Sequence, residues 1–596
     1  MAKKKASRKA GGNGSGGGGK NENGSGNGST KTLSTQQSVN AAVKSICDIM
    51  RRSNCAGAMQ YVPELTWILF LRILDERESQ EAEAAEIVGA EFSASLAEPY
   101  RWQDWAAPDG PKRTELTGDG SRMGDLFGFV NGELLPYLKG LRNKAHATPR
   151  QKVISEILSG VERVRIDTEK NFQDVLDKVH ELSSETIDDT HVFTLSQVYE
   201  GLLLKMGEKG GDGGQFFTPR EVIRAVVQVI EPMIGETVYD PGCGTGGFLA
   251  QAYEFMAGKD HANIASPDDL DTLRHDTFFG REKENLIYPI ALANLVLHGI
   301  DQPNLWHGNT LTRNVSYDGL FLSAPATFDV VLTNPPFGGK EGSEAQTHFA
   351  FKTGATQVLF LQHVLDNLGP KGRCGIVLDE GVLFRTNESA FVDTKRKLLD
   401  DCDLYCIVSL PGGVFSAAGA GVKTNLLFFN RGKPTERIWY YDLSDIKVGK
   451  RTPFTIDRFA EFFKLLPECG ESERSWTVDF VARKAKAKAE AAPFYEQAKE
   501  KEQAANQWKD QLKELKKAKP VDHSAVDDTD AKIKELSKES RELKAKAEAI
   551  ENAVYDLKAV NPNAQADEDT RTPAELLEVI EQKGREITEA LKTLKT

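Results

Sequence analysis

Residues 238–249 read VYDPGCGTGGFL, and this stretch decides the fold class. An apolar start, glycines at 242, 244 and 246, and a renewed apolar run predict a strand end, a tight loop and a helix start. Glycines also let the backbone approach a ligand closely. The dinucleotide fingerprint, G-x-G-x-x-G, can be fitted to Gly242, Gly244 and Gly247. On the glycines alone, a dinucleotide site and a plain strand–helix connection are both open.

Asp240 stands directly before this loop and gives the tighter spacing acid-x-Gly-x-Gly-x-Gly. That pattern is typical of S-adenosylmethionine sites, in which the loop wraps the methionine part of the cofactor. Over residues 196–435, strand-like and helix-like runs alternate, which predicts a doubly wound α/β sheet. Ligands bind such sheets at the carboxyl ends of the strands. The loop is therefore predicted to lie at that edge.

A second motif follows another predicted strand. Residues 327–333, TFDVVLT, read as a buried strand, and Asn334-Pro335-Pro336-Phe337 comes next. The prolines fix φ and lack N–H groups, so we expect a stiff turn whose carbonyls stay free. The Asn334 side-chain oxygen and the Pro335 carbonyl could both accept hydrogen bonds from one exocyclic amine, while Phe337 offers a flat face to a base. Alone the tetrapeptide is an ordinary turn, but sheet geometry places it beside the glycine loop.

Together the two motifs resemble adenine-N6 DNA methyltransferases, and more narrowly the modification (M) subunit of type I restriction-modification systems. The resemblance spans roughly residues 35–435. It implies a Rossmann-like, S-adenosylmethionine-dependent methyltransferase core that methylates adenine N6 in double-stranded DNA after the base flips out of the stack. It makes Asn334, Pro335, Pro336 and Phe337 the catalytic residues.

The same resemblance implies a cofactor pocket built from four segments. The turn QFFTP at 215–219 closes over the cofactor, the glycine loop shapes the pocket, and Glu282 binds the ribose hydroxyls. Asn309 stands where the family usually has an acid near the cofactor adenine, and its oxygen can still accept from the adenine amino group. The predicted cofactor-binding residues are Gln215, Phe217, Thr218, Pro219, Asp240, Gly242, Gly244, Gly246, Gly247, Phe248, Glu282 and Asn309.

Composition bounds the remaining possibilities. A chain of 596 residues with 40% hydrophobic and 27% charged residues predicts a soluble protein of several domains. The seven cysteines are scattered, and Cys402 and Cys406 lack companion ligands, so no metal site is predicted. No apolar stretch is long enough to span a bilayer and no secretory signal is visible, so we expect a cytoplasmic protein without a membrane partner.

Five segments are predicted along the chain. Residues 1–32 are rich in Lys, Gly, Ser and Asn, which predicts a disordered basic tail. Helical spacing over 35–195 predicts a helical N-terminal domain. The catalytic domain covers 196–435, a connector covers 436–475, and heptads over 476–596 predict a coiled-coil tail for partner docking. Pro520 and the acidic run from Asp522 to Asp530 should break that tail into an antiparallel helical hairpin.

No module that could read bases in a DNA groove is visible, and the net charge of -13 is unusual for a DNA enzyme. A separate specificity (S) subunit is therefore expected to select the sequence. The resemblance also implies a second M subunit and an assembly that can include a restriction (R) subunit.

Other functions remain open on the sequence. Protein glutamine methyltransferases use a similar turn but usually end it with Tyr, and cytosine-N4 enzymes commonly begin it with Ser. A standalone adenine methyltransferase would need a recognition module elsewhere in the chain. A decayed scaffold that only binds cofactor would explain Asn309, but intact Asp240, Glu282 and Asn334 argue against it.

Overall fold

The structure is a computed structural model that describes residues 36–53, 55, 58–181, 218–415, 422–449, 452–517, 522–563, 577–578 and 580–587. The predicted tail at 1–32 lies outside these residues. Within the described part, no helix combines the length and apolar character that crossing a membrane requires.

The described residues before 182 form helices joined by loops. Aromatic side chains fill the interior of this part, where the Phe172 ring stacks on Trp105 with centroids 6.5 Å apart and meets Trp67 at 6.4 Å. Its helices are α1 Gln36–Arg52, α2 Ala58–Val88, α3 Trp102–Trp105, α4 Pro111–Thr117, α5 Asp125–Phe129, α6 Leu135–Gly140, α7 Pro149–Leu158 and α8 Glu169–His180.

Strands and helices alternate from residue 220 onward. The helices are α9 Arg220–Ile230, α10 Gly247–Ala257, α11 Pro267–His275, α12 Ile287–Leu297, α13 Ser343–Gln346, α14 Thr356–Asn367, α15 Glu380–Phe384, α16 Ser389–Asp401, α17 Ala460–Leu465, α18 Phe480–Lys517 and α19 His523–Asn552. The strands are β1 Val238–Asp240, β2 Phe278–Glu282, β3 Asn304–Asn309, β4 Asn314–Tyr317, β5 Phe328–Thr333, β6 Leu368–Asp379, β7 Cys402–Ser409, β8 Thr424–Arg431, β9 Arg437–Asp442 and β10 Ser475–Asp479.

The ten strands of the described residues form one sheet in the order β10-β9-β7-β8-β6-β5-β1-β2-β3-β4. Its centre is parallel, whereas β4, β8 and β10 run antiparallel to their neighbours. Side chains of β5 alternate between two cores: Val330 faces the core shared with α9, α10 and α12, and Val331 faces the core shared with α14 and α16. The predicted α/β class with helices on both faces is confirmed, in a mixed rather than fully parallel sheet.

The sheet continues past residue 435. The predicted connector, 436–475, contains β9, which pairs in parallel with β7, and β10 then pairs antiparallel with β9. The reason lies in the run RIWYYD at β9, whose apolar residues Ile438, Trp439, Tyr440 and Tyr441 are all buried. Such a run gains more by joining the sheet than by crossing the surface.

Helices α18 and α19 pack antiparallel as a hairpin. The Tyr495 hydroxyl donates to Glu551 at 3.0 Å, and the Ser540 hydroxyl donates to the Ala498 carbonyl at 2.9 Å. The expected break through Asp530 is wrong in extent, because α19 already begins at His523. Asp522 caps it by accepting the Ala525 N–H, and acidic residues stabilise a helix N-terminus. Heptad coiled-coil packing stays a prediction.

Small residues allow the two helices to approach closely, since Ala498 is fully buried in their contact. Ala498→Leu should overpack this contact and lower the local stability of the hairpin by about 1–3 kcal/mol. Hydrogen–deuterium exchange of the α18 and α19 amides measures that stability. Ala492→Leu is the control, because Ala492 is exposed on the same helix. Equal exchange in the two variants would contradict close packing of the two helices at Ala498.

Candidate active site

A cavity of about 350 Å³ opens at the carboxyl ends of β1, β2 and β5. Strand order reverses around β1, since β2 lies on one side and β5 on the other, and this reversal leaves a crevice for a ligand. The predicted site residues that line the cavity are Thr218, Asp240, Gly242, Gly244, Gly247, Phe248, Glu282, Asn309, Asn334, Pro336 and Phe337.

Three other predicted site residues are each next in sequence to residues that line the cavity. Pro219 is the residue that precedes α9, and Gly246 precedes α10. Pro335 is buried between Asn334 and Pro336 in the turn after β5. Gln215 and Phe217 fall outside the described residues, so their predicted roles stay predictions.

The glycine loop turns where the sequence predicted a turn. Gly244 has φ of 53° and Gly246 has φ of 80°, in the left-handed region that favours glycine. A Cβ on Gly246 would also lie 3.2 Å from the Leu295 side chain. The loop therefore requires glycine at 246 for two reasons, conformation and close packing.

Asp240 holds the loop to the end of β5. Its Oδ1 accepts the Gly242 N–H at 3.1 Å and the Thr333 hydroxyl at 2.7 Å. The carboxyl is 1% exposed, and burial raises its pKa to about 7. Thus Asp240 links the glycine loop directly to the strand that carries Asn334.

Glu282 performs the corresponding role at the end of β2. Its Oε2 accepts the Gly244 N–H at 2.9 Å, and its Oε1 accepts the N–H groups of Lys283 at 2.8 Å and Glu284 at 2.7 Å. Burial raises the pKa of Glu282 to about 7. An ionised carboxylate has further acceptor capacity beyond these three bonds, so it can still receive a ligand hydroxyl.

Asn334 presents an unused acceptor. Its Nδ2 donates to the Thr218 hydroxyl at 2.9 Å, which orients the amide. Its Oδ1 is buried and accepts no hydrogen bond from the described residues. A buried acceptor without a partner costs about 1–3 kcal/mol, so an N–H donor on a bound ligand is the expected partner.

The rest of the turn differs from the sequence prediction at one point. The Pro335 carbonyl is not entirely free, because Gln357 Nε2 donates to it at 3.1 Å. A carbonyl oxygen has two lone pairs, so one remains. Phe337 lines the cavity and meets Phe415 edge to face, with centroids 5.1 Å apart.

Asn309 lies on the cavity wall, but its oxygen is committed to its own turn. Oδ1 accepts the N–H groups of Leu311 at 2.9 Å and Thr312 at 3.2 Å. Both lone pairs are thereby used. The predicted hydrogen bond from an adenine amino group to this oxygen is therefore not supported, and Asn309 shapes the turn after β3 instead.

Helix α14 contributes residues that the sequence reasoning missed. The Phe360 ring lies 3.5 Å from where a Cβ on Gly242 would sit, and the Thr356 hydroxyl donates to Glu341 at 3.0 Å beside the cavity. Gln357 holds Pro335. In the sequence, only the two polar residues that begin the run TQVLFL at 356–361 hinted that this helix contributes to the site.

Comparison with known proteins agrees with this geometry. The N-6 DNA methylase family profile matches residues 190–510, and the HsdM N-terminal domain profile matches residues 39–182. The chain belongs to the N-6 DNA methylase family. Within it, the chain is a modification subunit of the type I restriction-modification kind, an adenine-specific DNA methyltransferase whose cofactor is S-adenosyl-L-methionine.

Relatives and solved structures place this methylase more narrowly. It is 35% identical to the type I restriction enzyme EcoEI methylase subunit of Escherichia coli, over 68% of this chain and 77% of that protein. A structure concerning complex assembly of the type I R-M system has a TM-score of 0.63 at 34% identity, covering 94% of this chain and 98% of the other. A modification subunit from Vibrio vulnificus YJ016 has a TM-score of 0.63 at 32% identity, covering 75% and 93%.

The residues of the methylase fit its cofactor. The cavity has the size of a small-molecule site. Two buried carboxyl groups, Asp240 and Glu282, can ionise beside a cofactor that carries a positive sulfonium and a positive amino group. Gly242 and Gly244 leave the backbone open to close approach.

The raised pKa of Asp240 predicts a pH-dependent stability. The carboxyl has a pKa of about 4 in the unfolded chain and about 7 in the ligand-free folded chain. Between pH 4 and pH 7 the folded chain therefore keeps a proton that the unfolded chain releases, so the unfolding free energy falls as pH rises. Asp240→Asn keeps the acceptor oxygen but removes the charge. It should raise the unfolding free energy at pH 8 by about 2–4 kcal/mol, with no gain at pH 4. Urea unfolding across this range tests this, and a gain independent of pH would contradict it.

Proposed function

We propose that this methylase transfers a methyl group to N6 of an adenine flipped out of double-stranded DNA, and that a separate specificity (S) subunit selects the sequence. In this division of labour the chain supplies the cofactor pocket and the acceptors that orient the amine. Target selection lies with the partner.

The buried Asn334 Oδ1 carries the proposal. The Asn334 nitrogen is committed to the Thr218 hydroxyl, so the oxygen is the atom left for a ligand. The remaining lone pair of the Pro335 carbonyl supplies a second acceptor on the same turn. An adenine amino group has two N–H groups, which matches two neighbouring acceptors.

The chemistry depends on those acceptors. S-adenosyl-L-methionine, when bound, supplies an electrophilic methyl group on sulfur. By accepting both N–H groups, Asn334 and Pro335 direct the nitrogen lone pair toward that methyl group. As the carbon–nitrogen bond forms and the carbon–sulfur bond breaks, positive charge develops on N6, and the same acceptors stabilise it. The amine then releases one proton to solvent.

Phe337 is proposed to stack on the flipped adenine. Its ring lies half-buried at the cavity and packs in a T-shaped pair with Phe415. Base–aromatic stacking contributes about 1–3 kcal/mol, which compensates part of the cost of unstacking the base.

The cofactor roles rest on the strand ends. We assign the ribose hydroxyls to Glu282 and the methionine part to the loop that begins at Asp240. The turn at Thr218 has a double role in this proposal, because it lines the cofactor cavity and also orients Asn334.

The subunit arrangement rests on the elements beyond the sheet and on charge. After β10 the described residues form the α18–α19 hairpin, a short return segment and helical residues at 577–578 and 580–587, and the whole chain has a net charge of -13. We therefore assign base reading and much of the phosphate contact to the S subunit. A second M subunit completes the proposed methylating assembly, which can also include a restriction (R) subunit.

Asn334→Ala should lower kcat for adenine methylation about 100- to 1,000-fold, because the turn loses the acceptor that orients and stabilises the amine. Cofactor affinity should be retained, since Asp240 and Glu282 are untouched. Tritiated methyl transfer and calorimetry measure the two quantities. Asn263→Ala is the control. Asn263 is exposed and lies after the C-terminus of α10, the end of that helix farther from the cavity. Full activity of Asn334→Ala would remove Asn334 from the mechanism.

The division of labour predicts dependence on a partner. Purified methylase is incubated with tritiated cofactor and mixed-sequence DNA, with and without its S subunit, and the nucleosides are analysed. N6-methyladenine should form only when the S subunit is present. Formation by the chain alone would identify a standalone enzyme with its own recognition module.

A further inference from the structure

Gln357 connects the ends of β5 and β6. It stands in the first turn of α14 with only 2% of its surface exposed. Its Nε2 donates to the Pro335 carbonyl at 3.1 Å, and its Oε1 accepts the Asp379 N–H at 3.0 Å. One buried amide therefore joins the turn that carries Asn334 to the last residue of the neighbouring strand.

Main-chain chemistry fixes the orientation of this amide. The Pro335 carbonyl can only accept and the Asp379 N–H can only donate, so a flipped Gln357 would lose both bonds. The direct pairing of β5 with β6 ends at Thr333 and Ile376, before either contact. The Gln357 amide thus extends the link between the strands after their own pairing has stopped.

We propose that Gln357 is a positioning residue for the methyl transfer. It holds the Pro335 carbonyl so that one lone pair is used by Nε2 and the other faces the adenine amine. This inference rests on the proposed role of the Asn334-Pro335 turn. Displacement of reacting groups by about 1 Å lowers rates about 100-fold, so loss of this link should act on kcat.

Gln357→Leu removes both hydrogen bonds in a side chain of similar size. In the methylase–S complex we expect kcat to fall about 100-fold, while the KM and the Kd for S-adenosyl-L-methionine stay unchanged. Melting temperatures confirm that the variant is folded.

Gln357→Glu separates positioning from simple packing. The introduced carboxylate still accepts the Asp379 N–H, but its second oxygen faces the Pro335 carbonyl oxygen. Two acceptors then repel each other where the native amide donates a hydrogen bond. Once protonated, it regains a donor, so kcat relative to wild type should rise at least about tenfold between pH 8 and pH 6. Two carboxyl groups lie close by: Asp379 caps α15 through the Val382 N–H, and Glu341 accepts from Thr356. Both carboxyl groups are also present in the wild type, so the ratio of variant kcat to wild-type kcat at each pH cancels the effect of their titration.

Gln362 provides a matched control on the same helix. It is also 2% exposed, and its amide makes two main-chain bonds, both to Phe351 and neither to the turn. Gln362→Leu and Gln362→Glu should leave kcat and its pH profile near wild type.

The outcomes separate the two proposals. An unchanged kcat in Gln357→Leu, an equal loss in Gln362→Leu, or no recovery of Gln357→Glu at low pH would each overturn the positioning role. If the wild-type complex forms no N6-methyladenine, the proposed function fails and this inference fails with it. The positioning role is supported if kcat falls in both Gln357 variants, if kcat of Gln357→Glu alone recovers at low pH, and if both variants bind the cofactor normally.

Discussion

Parallel pairing of β1 with β2 on one side and β5 on the other is the constraint on which the active site depends. This pairing brings the carboxyl ends of three strands to one crevice. Asp240, Glu282 and Asn334, far apart in sequence, become neighbours there. Asp240 then reinforces the arrangement, because its bond to Thr333 ties the glycine loop to the strand that carries the catalytic turn. The helices on both faces keep the central strands dry, so every polar group at their ends is subject to strong desolvation.

The site concentrates polar groups that the folded chain leaves incompletely satisfied. Burial raises the pKa values of Asp240 and Glu282, and Asn334 Oδ1 has no partner among the described residues. Each of these features destabilises the ligand-free chain, and each is relieved by a cationic cofactor or an amine donor. Local instability is therefore matched to the two ligands that the proposed reaction brings together.

Contiguous motifs carried most of what the sequence could predict. The loop at 242–247 and the turn at Asn334 are local signals, and the geometry of α/β sheets was sufficient to bring them together. The hydrogen bond that Asn334 donates to Thr218 and the one that Gln357 donates to Pro335 could not be predicted, because each joins distant segments and has no spacing signature. Asn309 was assigned from the family pattern, yet its oxygen is used by the adjacent backbone. Strands β9 and β10, at one end of the sheet, were missed because the resemblance ended before them.

The most direct test of the account is a structure of the methylase with its S subunit, S-adenosylhomocysteine and target DNA. The account predicts a flipped adenine whose N6 lies about 3 Å from both Asn334 Oδ1 and the Pro335 carbonyl, within hydrogen-bond distance. An adenine whose amine is held by other groups, with the Asn334 oxygen still unpartnered, would contradict the central claim.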